Sequence, residues 1–258
     1  MLTIIGNGVH FAACAEEGSK WIYKVPVQVI LGKRGSVSHS RGALNRLLER
    51  VGCGIKYSQW TPDKERRVLY AGERIKTIGD YNRCIACFDM QQETKFKLLI
   101  RGEIIEYIGF AIKQEKLIPF ETIERLPGLK DYVKRVYEIN TMAWSHGVAF
   151  YKYAELLGWH NHGMSPNGCI KLFDFIDITE DLEFVCKRVG RRCEKFNARV
   201  NYLAKRLSKR FSREEVDYFI DYCYENYRGE NIRNIWRSAC REARPNRGCK
   251  LNCVTGYL

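Results

Sequence analysis

The sequence contains no run of about 20 apolar residues, so no segment is expected to cross a bilayer as a helix. Its start, Met1-Leu2-Thr3-Ile4-Ile5-Gly6, lacks a basic stretch followed by a long apolar one, and no secretory leader is expected. There is no Gly-Lys-Ser/Thr, which excludes a P-loop. Internal repeats and low-complexity tracts are also missing. Acidic residues are scarce: 30 Asp and Glu against 43 Lys and Arg leave a net charge of +13. That balance favours anionic partners, whether nucleic acid, an acidic protein or nucleotide phosphates. Cysteine, by contrast, is plentiful. Eleven cysteines without an export signal read as reduced, mostly buried thiols of a cytoplasmic protein. Cys84/Cys87 and Cys249/Cys253 have the close spacing of half-sites for zinc, which needs four ligands. Cys84-Ile85-Ala86-Cys87-Phe88 reads instead as a buried strand, in which residues three apart face opposite sides.

A chain of 258 residues accommodates one two-lobed domain or two small ones, with ample length for a buried core. The first third reads as sheet. Leu2–Ile5, Phe11–Cys14 and Trp21–Val25 are short apolar runs, and Arg67–Ala71 with Arg74–Ile78 reads as a hairpin about Gly72-Glu73. Arg83–Asp89, Lys95–Ile100 and Glu103–Ile112 are further strands, and Arg41–Val51 is a short helix stopped by Gly52. Helical spacing then runs from Leu129 to Leu157, with Gly147 as a break or kink. Residues 158–178 form a loop-strand-loop unit around Cys169–Phe173. The last 80 residues read as three helices; Ser212-Arg213-Glu214-Glu215 is a capping box and Gly229 closes the helix it opens.

Two pieces carry chemistry. In the first, Gly6-Asn7-Gly8 lies between two strands, and a third strand follows with Lys24 in Ile22-Tyr23-Lys24-Val25. Two glycines let a backbone turn lie close over phosphates, and a lysine on a neighbouring strand neutralises them. The second runs from Asn161 through the turn Pro166-Asn167-Gly168 and a short apolar strand to Asp174-Phe175. Asn161 and Asp174 are oxygen donors suited to Mg²⁺ bridging nucleotide phosphates. The plain alternatives are an ordinary hairpin, a solvated lysine and a surface acid.

The order of Gly-loop, strand lysine, helix, strands, long helix, Asn-loop and Asp-Phe resembles the protein kinase-like fold. Within it, Gly6-Asn7-Gly8, Phe11, Ala12-Ala13 and Lys24 resemble the early serine/threonine protein kinases of short-tailed phages. The likeness covers residues 1–178 in outline. It implies an α+β, two-lobed fold: an antiparallel N-lobe over 1–115 with one helix, a reduced helical C-lobe core over 116–178, and a basic helical region over 179–258. It also implies ATP and Mg²⁺ held by Gly6, Asn7, Gly8, Lys24, Asn161 and Asp174, and phosphoryl transfer to Ser/Thr of host proteins during phage takeover. Glu49 would be the partner of Lys24, or else part of a solvated helix face beside Arg46 and Arg50. Two departures count against transfer. The family's catalytic Asp lies five residues before the Asn, where this chain has Leu156. The nearby candidate bases are Glu155, one residue away, and the flanking His160 and His162, which read also as loop histidines making structural hydrogen bonds. No Gly follows Asp174-Phe175, and no Ala-Pro-Glu follows, leaving no room for an ordinary activation loop.

Between Val185 and Arg213 there are eleven Lys and Arg and one Glu. Val185, Val189, Cys193, Phe196, Val200, Leu203, Leu207 and Phe211 recur at helical spacing, so the segment reads as one helix packed by an apolar stripe. Lys187, Arg188, Arg191, Arg192, Lys195 and Arg199 lie among the cations on its remaining faces. Such runs are usually solvated faces, but this density also fits RNA, DNA or an acidic partner. The rival to a kinase or pseudokinase is therefore a non-enzymatic basic protein that engages nucleic acid or a host nucleic-acid machine through its C-terminal helices.

Overall fold

The computed structural model describes residues 1–7, 11–26, 61–100, 103–123, 128–150, 152–158, 161–175 and 178–242. The expected helix at 41–51, with Glu49, and the loop residues Gly8–His10 lie outside them. The chain is mixed α and β and divides into two compact units. The first comprises Met1–Pro119 and Gly163–Ile176, the second Phe120–His162 and Asp177–Leu258. Residues 163–176 thus group with the N-terminal strands and not with the segment that precedes them in sequence.

In the first unit, β1 (Leu2–Asn7), β2 (Phe11–Ala15), β3 (Trp21–Pro26), β4 (Phe88–Ile100) and β5 (Glu103–Glu115) form a barrel in the order β1-β2-β3-β5-β4. The pairings are antiparallel except for the β1–β4 closure, where Leu2 and Thr3 run parallel to Leu98 and Leu99. Alternation sends Leu2, Ala12, Cys14, Val25, Leu98 and Tyr107 into one core, with Ile4, Tyr23 and Phe96 packed against it. Burial pushes the Cys14 thiol up to about 12, so it behaves as a small hydrophobe.

The expected hairpin at 67–78 is a helix, α1 (Pro62–Lys76). Thr61 caps its Lys64 N–H, Pro62 occupies the first turn with Asp63 and Glu65, and Arg74 and Lys76 sit in the last. Val68, Ala71, Gly72 and Ile75 are buried at i, i+3, i+4 and i+7. Gly72 is not a turn residue; a Cβ there would run into Met90 and press on Phe88. The expected strand at 83–89 starts only at Phe88. Before it, Tyr81–Arg83 is a 3₁₀ turn, and Ile85 makes an isolated bridge to Leu172. Among the described residues, Cys84 and Cys87 are free thiols and no group of three or more His, Cys, Asp or Glu is placed to hold a metal. A small sheet joins β6 (Ile118–Pro119), β8 (His162–Met164) and β9 (Ile170–Leu172). Its turn is the one expected at 166–168: Gly168, at φ +81°, donates to the Ser165 carbonyl, and the Ser165 hydroxyl accepts from Cys169 N–H.

In the second unit, α2 (Leu129–Trp144) stops thirteen residues short of the expected end at Leu157. Gly147, at φ +71°, reverses the chain into β7 (Ala149–Phe150), and a one-turn helix, α3 (Tyr153–Leu156), follows. The strand β10 (Ile178–Thr179) pairs with β7. The single basic helix expected over 185–211 is two helices, α4 (Leu182–Lys187) and α5 (Glu194–Leu207), separated at Gly190 with φ +83°. The capping box is present at the start of α6 (Arg213–Asn226). Gly229 does not close that helix but begins α7 (Gly229–Glu242), giving four C-terminal helices among the described residues instead of three.

At the centre of this unit Asn140, on α2, donates to the Val136 and Leu156 carbonyls, and the Tyr227 hydroxyl donates to the same Leu156 oxygen at 2.6 Å. Both side chains are buried. Tyr227→Phe should lower unfolding stability by about 1–3 kcal/mol, read from urea midpoints, because it removes a buried hydrogen bond while the ring still fills its space. No helix among the described residues is long and apolar enough to cross a membrane.

Candidate functional site

Lys24 is placed by the β3 alternation. Tyr23 and Val25 turn into the barrel core, so Lys24 projects from the other face. That face is covered, since the lysine side chain is only 11% exposed. Its Nζ donates to the Phe173 carbonyl at 2.5 Å, lies 3.5 Å from Asp174 Oδ1 and sits 5.4 Å from the Phe173 ring centroid. Gln114 Nε2, on β5, donates to the same carbonyl at 2.8 Å. The strand lysine and the acid of Asp-Phe, 150 residues apart in sequence, are therefore neighbours. Phe175 is buried against Phe88, ring centroids 4.7 Å apart, which fixes the segment carrying Asp174 onto β4.

A second pair stands beside the first. Lys171 Nζ meets Glu115 Oε2 at 2.8 Å, and that oxygen also accepts from the Cys87 N–H at 3.2 Å. The two ion pairs differ in kind. Lys171–Glu115 has the length of a charge-assisted hydrogen bond, and its side chains are 11% and 21% exposed. Lys24–Asp174 is longer, and Asp174 is 38% exposed. The tight, enclosed pair is a structural clamp; in the looser pair the lysine is equally enclosed and the carboxylate is the more exposed partner. Gln114 Oε1 is buried here with no hydrogen-bond partner among the described residues. Sequence reasoning missed Gln114, Glu115 and Lys171. Glu115 lies beyond the end expected for its strand, and no local pattern marks a pairing across 56 residues.

The other anticipated residues fall as follows. Gly6 and Asn7 end β1 and pair with Ala13 and Ala12; the Asn7 side chain and Gly8 lie outside the description. Asn161 is half-buried in a bend of the second unit, directly before β8. Glu155 lies in α3, and its side chain is outside the description. Leu156, at the position of the missing aspartate, is a fully buried core residue. His162 is not a loop histidine held by hydrogen bonds. It begins β8, is fully buried, and neither ring nitrogen has a partner among the described residues. Burial lowers its pKa to about 3, so it is a neutral core imidazole.

The six expected anion-binding cations also divide. Half-buried Arg188 lies over the Tyr153 and Phe184 rings at 5.0 and 5.1 Å and so serves packing within the unit, whereas exposed Arg191 lies over Tyr224 at 5.0 Å. Lys187, Arg192 and Lys195 are exposed, and Arg199 is half-buried on α5. No family model matches this sequence, and no curated protein matches it.

Proposed function

We propose that the chain is a kinase-like ATP–Mg²⁺-binding protein whose first unit serves as the nucleotide-holding lobe, and that binding, not phosphoryl transfer, is its principal activity. The observation that carries this reading is the Lys24–Asp174 pair: one cation and one carboxylate set side by side, the lysine on the strand that pairs with β2 of the β1–β2 hairpin. The donor set fits the ligand. Lys24 offers a cation to phosphate oxygens, and Asp174 offers a hard oxygen to Mg²⁺. The helix α1, which lies between β3 and β4 in sequence, buries only apolar residues and glycine, so among the described residues Asp174 is the carboxylate that meets Lys24. Transfer to Ser/Thr of host proteins, which the resemblance implies, has less support, because a core leucine stands where the base is needed.

Thermal unfolding of the full chain with and without ATP and Mg²⁺ tests this. At ATP about 100-fold above its Kd the native state should gain about 2.7 kcal/mol and melt correspondingly higher. The shift should vanish in Lys24→Ala and shrink in Asp174→Ala. No shift at millimolar ATP sinks the nucleotide reading. Incubation with [γ-³²P]ATP should leave wild type and Asp174→Ala equally unlabelled; strong labelling of wild type alone would restore phosphoryl transfer.

A further inference from the structure

The helix α5 buries Phe196, Val200, Leu203, Ala204 and Leu207 along one face. On one flank of that face, at i, i+4, i+7 and i+11, stand Lys195, Arg199, Tyr202 and Arg206, and Lys209 follows just beyond the helix. The Arg199 guanidinium lies 5.0 Å and the Arg206 guanidinium 5.7 Å from the centre of the Tyr202 ring, and Arg206 also donates to the Tyr202 hydroxyl at 3.0 Å. Two like charges thus converge on one aromatic ring, and that ring is 45% exposed. Arg199 keeps two buried N–H groups with no acceptor among the described residues.

We propose that this flank of α5 binds single-stranded nucleic acid, with the exposed cations Lys195, Arg206 and Lys209 on backbone phosphates and Tyr202 as a platform for an unpaired base. Lys195 to Arg206 spans ~16 Å at 1.5 Å per residue, enough to follow several phosphates of one strand. The exposed ring selects the occupant. An acidic peptide uses the charges but gains nothing from an aromatic platform, and a duplex keeps its bases stacked away from it. This surface belongs to the second unit and does not depend on the nucleotide reading of the first.

Fluorescence anisotropy of a 5′-labelled U₂₀ RNA titrated with the full chain tests it, at salt from 50 to 200 mM. Binding should weaken with salt by ~0.7 in log K per log salt for each phosphate engaged. Lys195→Glu/Arg206→Glu should weaken binding at least tenfold at 50 mM and flatten the slope by about 1.4. Tyr202→Ala, on an exposed helix position, should weaken it about fivefold or more without changing the slope, and Tyr202→Phe should retain it. The control Lys20→Glu/Lys97→Glu, which changes net charge equally in the first unit, should have little effect. The proposal fails if U₂₀ does not bind at 50 mM salt. It fails equally if the control weakens binding as much as the α5 variant, because net charge alone is then responsible. If Tyr202→Ala binds as wild type and polyglutamate displaces U₂₀ as well as unlabelled RNA does, the flank is a site for acidic protein instead.

Discussion

Lowering the pH from 7 to 4 should remove several kcal/mol of stability through His162 alone, and His162→Met should abolish most of that loss. The imidazole is fully buried, has no hydrogen-bond partner among the described residues, and meets Tyr132 edge-on at 6.4 Å between ring centres. Burial favours the neutral form and lowers its pKa from 6.5 to about 3. The direction of the pH effect follows. The unfolded chain takes up a proton below pH 6.5, whereas the folded chain does not until about pH 3. The contribution of this group is therefore full above pH 6.5 and falls as pH drops towards 3, by about 2 kcal/mol at pH 5 and about 5 kcal/mol at its limit. Methionine is of similar size and keeps no polar atom that must be desolvated, so at pH 7 the substitution should be neutral or stabilising. Urea midpoints at pH 7, 6, 5 and 4 for wild type and His162→Met supply the measurement. Parallel pH profiles for the two proteins would show that His162 is hydrated or paired in solution.

The same residue shows where sequence reading ends. Next to Asn161 in a stretch rich in Gly, His and Asn, His162 reads as part of a polar loop, and only the three-dimensional environment turns it into core. Elements whose signals are local were legible. The capping box at Ser212 and Glu215 joins residues three apart, and the turn at 166–168 needs one glycine with positive φ. The strand alternation that turns Lys24 to one face and Val25 into the barrel core on the other is also local. Glycine misled in both directions, because its two uses look alike in sequence. Gly72 permits close packing inside a helix, whereas Gly190 breaks what reads as a continuous apolar stripe. The stripe from Val185 to Phe211 keeps its spacing across that break, since both helices pack apolar residues into the same unit, so periodicity alone could not reveal it.

The candidate site was legible in its strand lysine and its Asp-Phe acid and illegible in what supports them. Lys24 and Asp174 are recognisable from order along the chain, but the carbonyl of Phe173, the amide of Gln114 and the clamp beside them depend on which strands become neighbours. Charge spacing cannot report this. Arg188 stands in the same run as Lys187, Arg191 and Arg192, yet it is half-buried over aromatic rings while the other three are exposed. A count of cations therefore overstates the charge available to a partner, and the flank around Tyr202 is the smaller surface that combines charge with an exposed ring.

The clamp itself should show the largest effect of any single charge removal in the first unit. Glu115→Gln should destabilise it by about 3–5 kcal/mol, because the Lys171 ammonium, almost fully enclosed, is left without its counter-charge. Glutamine preserves the shape and still offers an oxygen to the Cys87 N–H, so the loss reports on charge, not on packing. Lys171→Met in the same background should recover most of it, since neither charge then needs compensation and the methylene packing is kept. The comparison within this protein is the surface pair Arg66–Asp63, with side chains 76% and 77% exposed, whose disruption should change stability by less than about 1 kcal/mol. A double-mutant cycle read by urea denaturation gives the coupling directly. A coupling between Glu115 and Lys171 no larger than that of the surface pair would mean that water reaches the clamp. With a strong coupling, Lys171 and Glu115 are bound to each other, and the proposed nucleotide site rests on Lys24 with Asp174. The ATP-induced rise in melting temperature should then survive Glu115→Gln/Lys171→Met and be lost with Lys24→Ala.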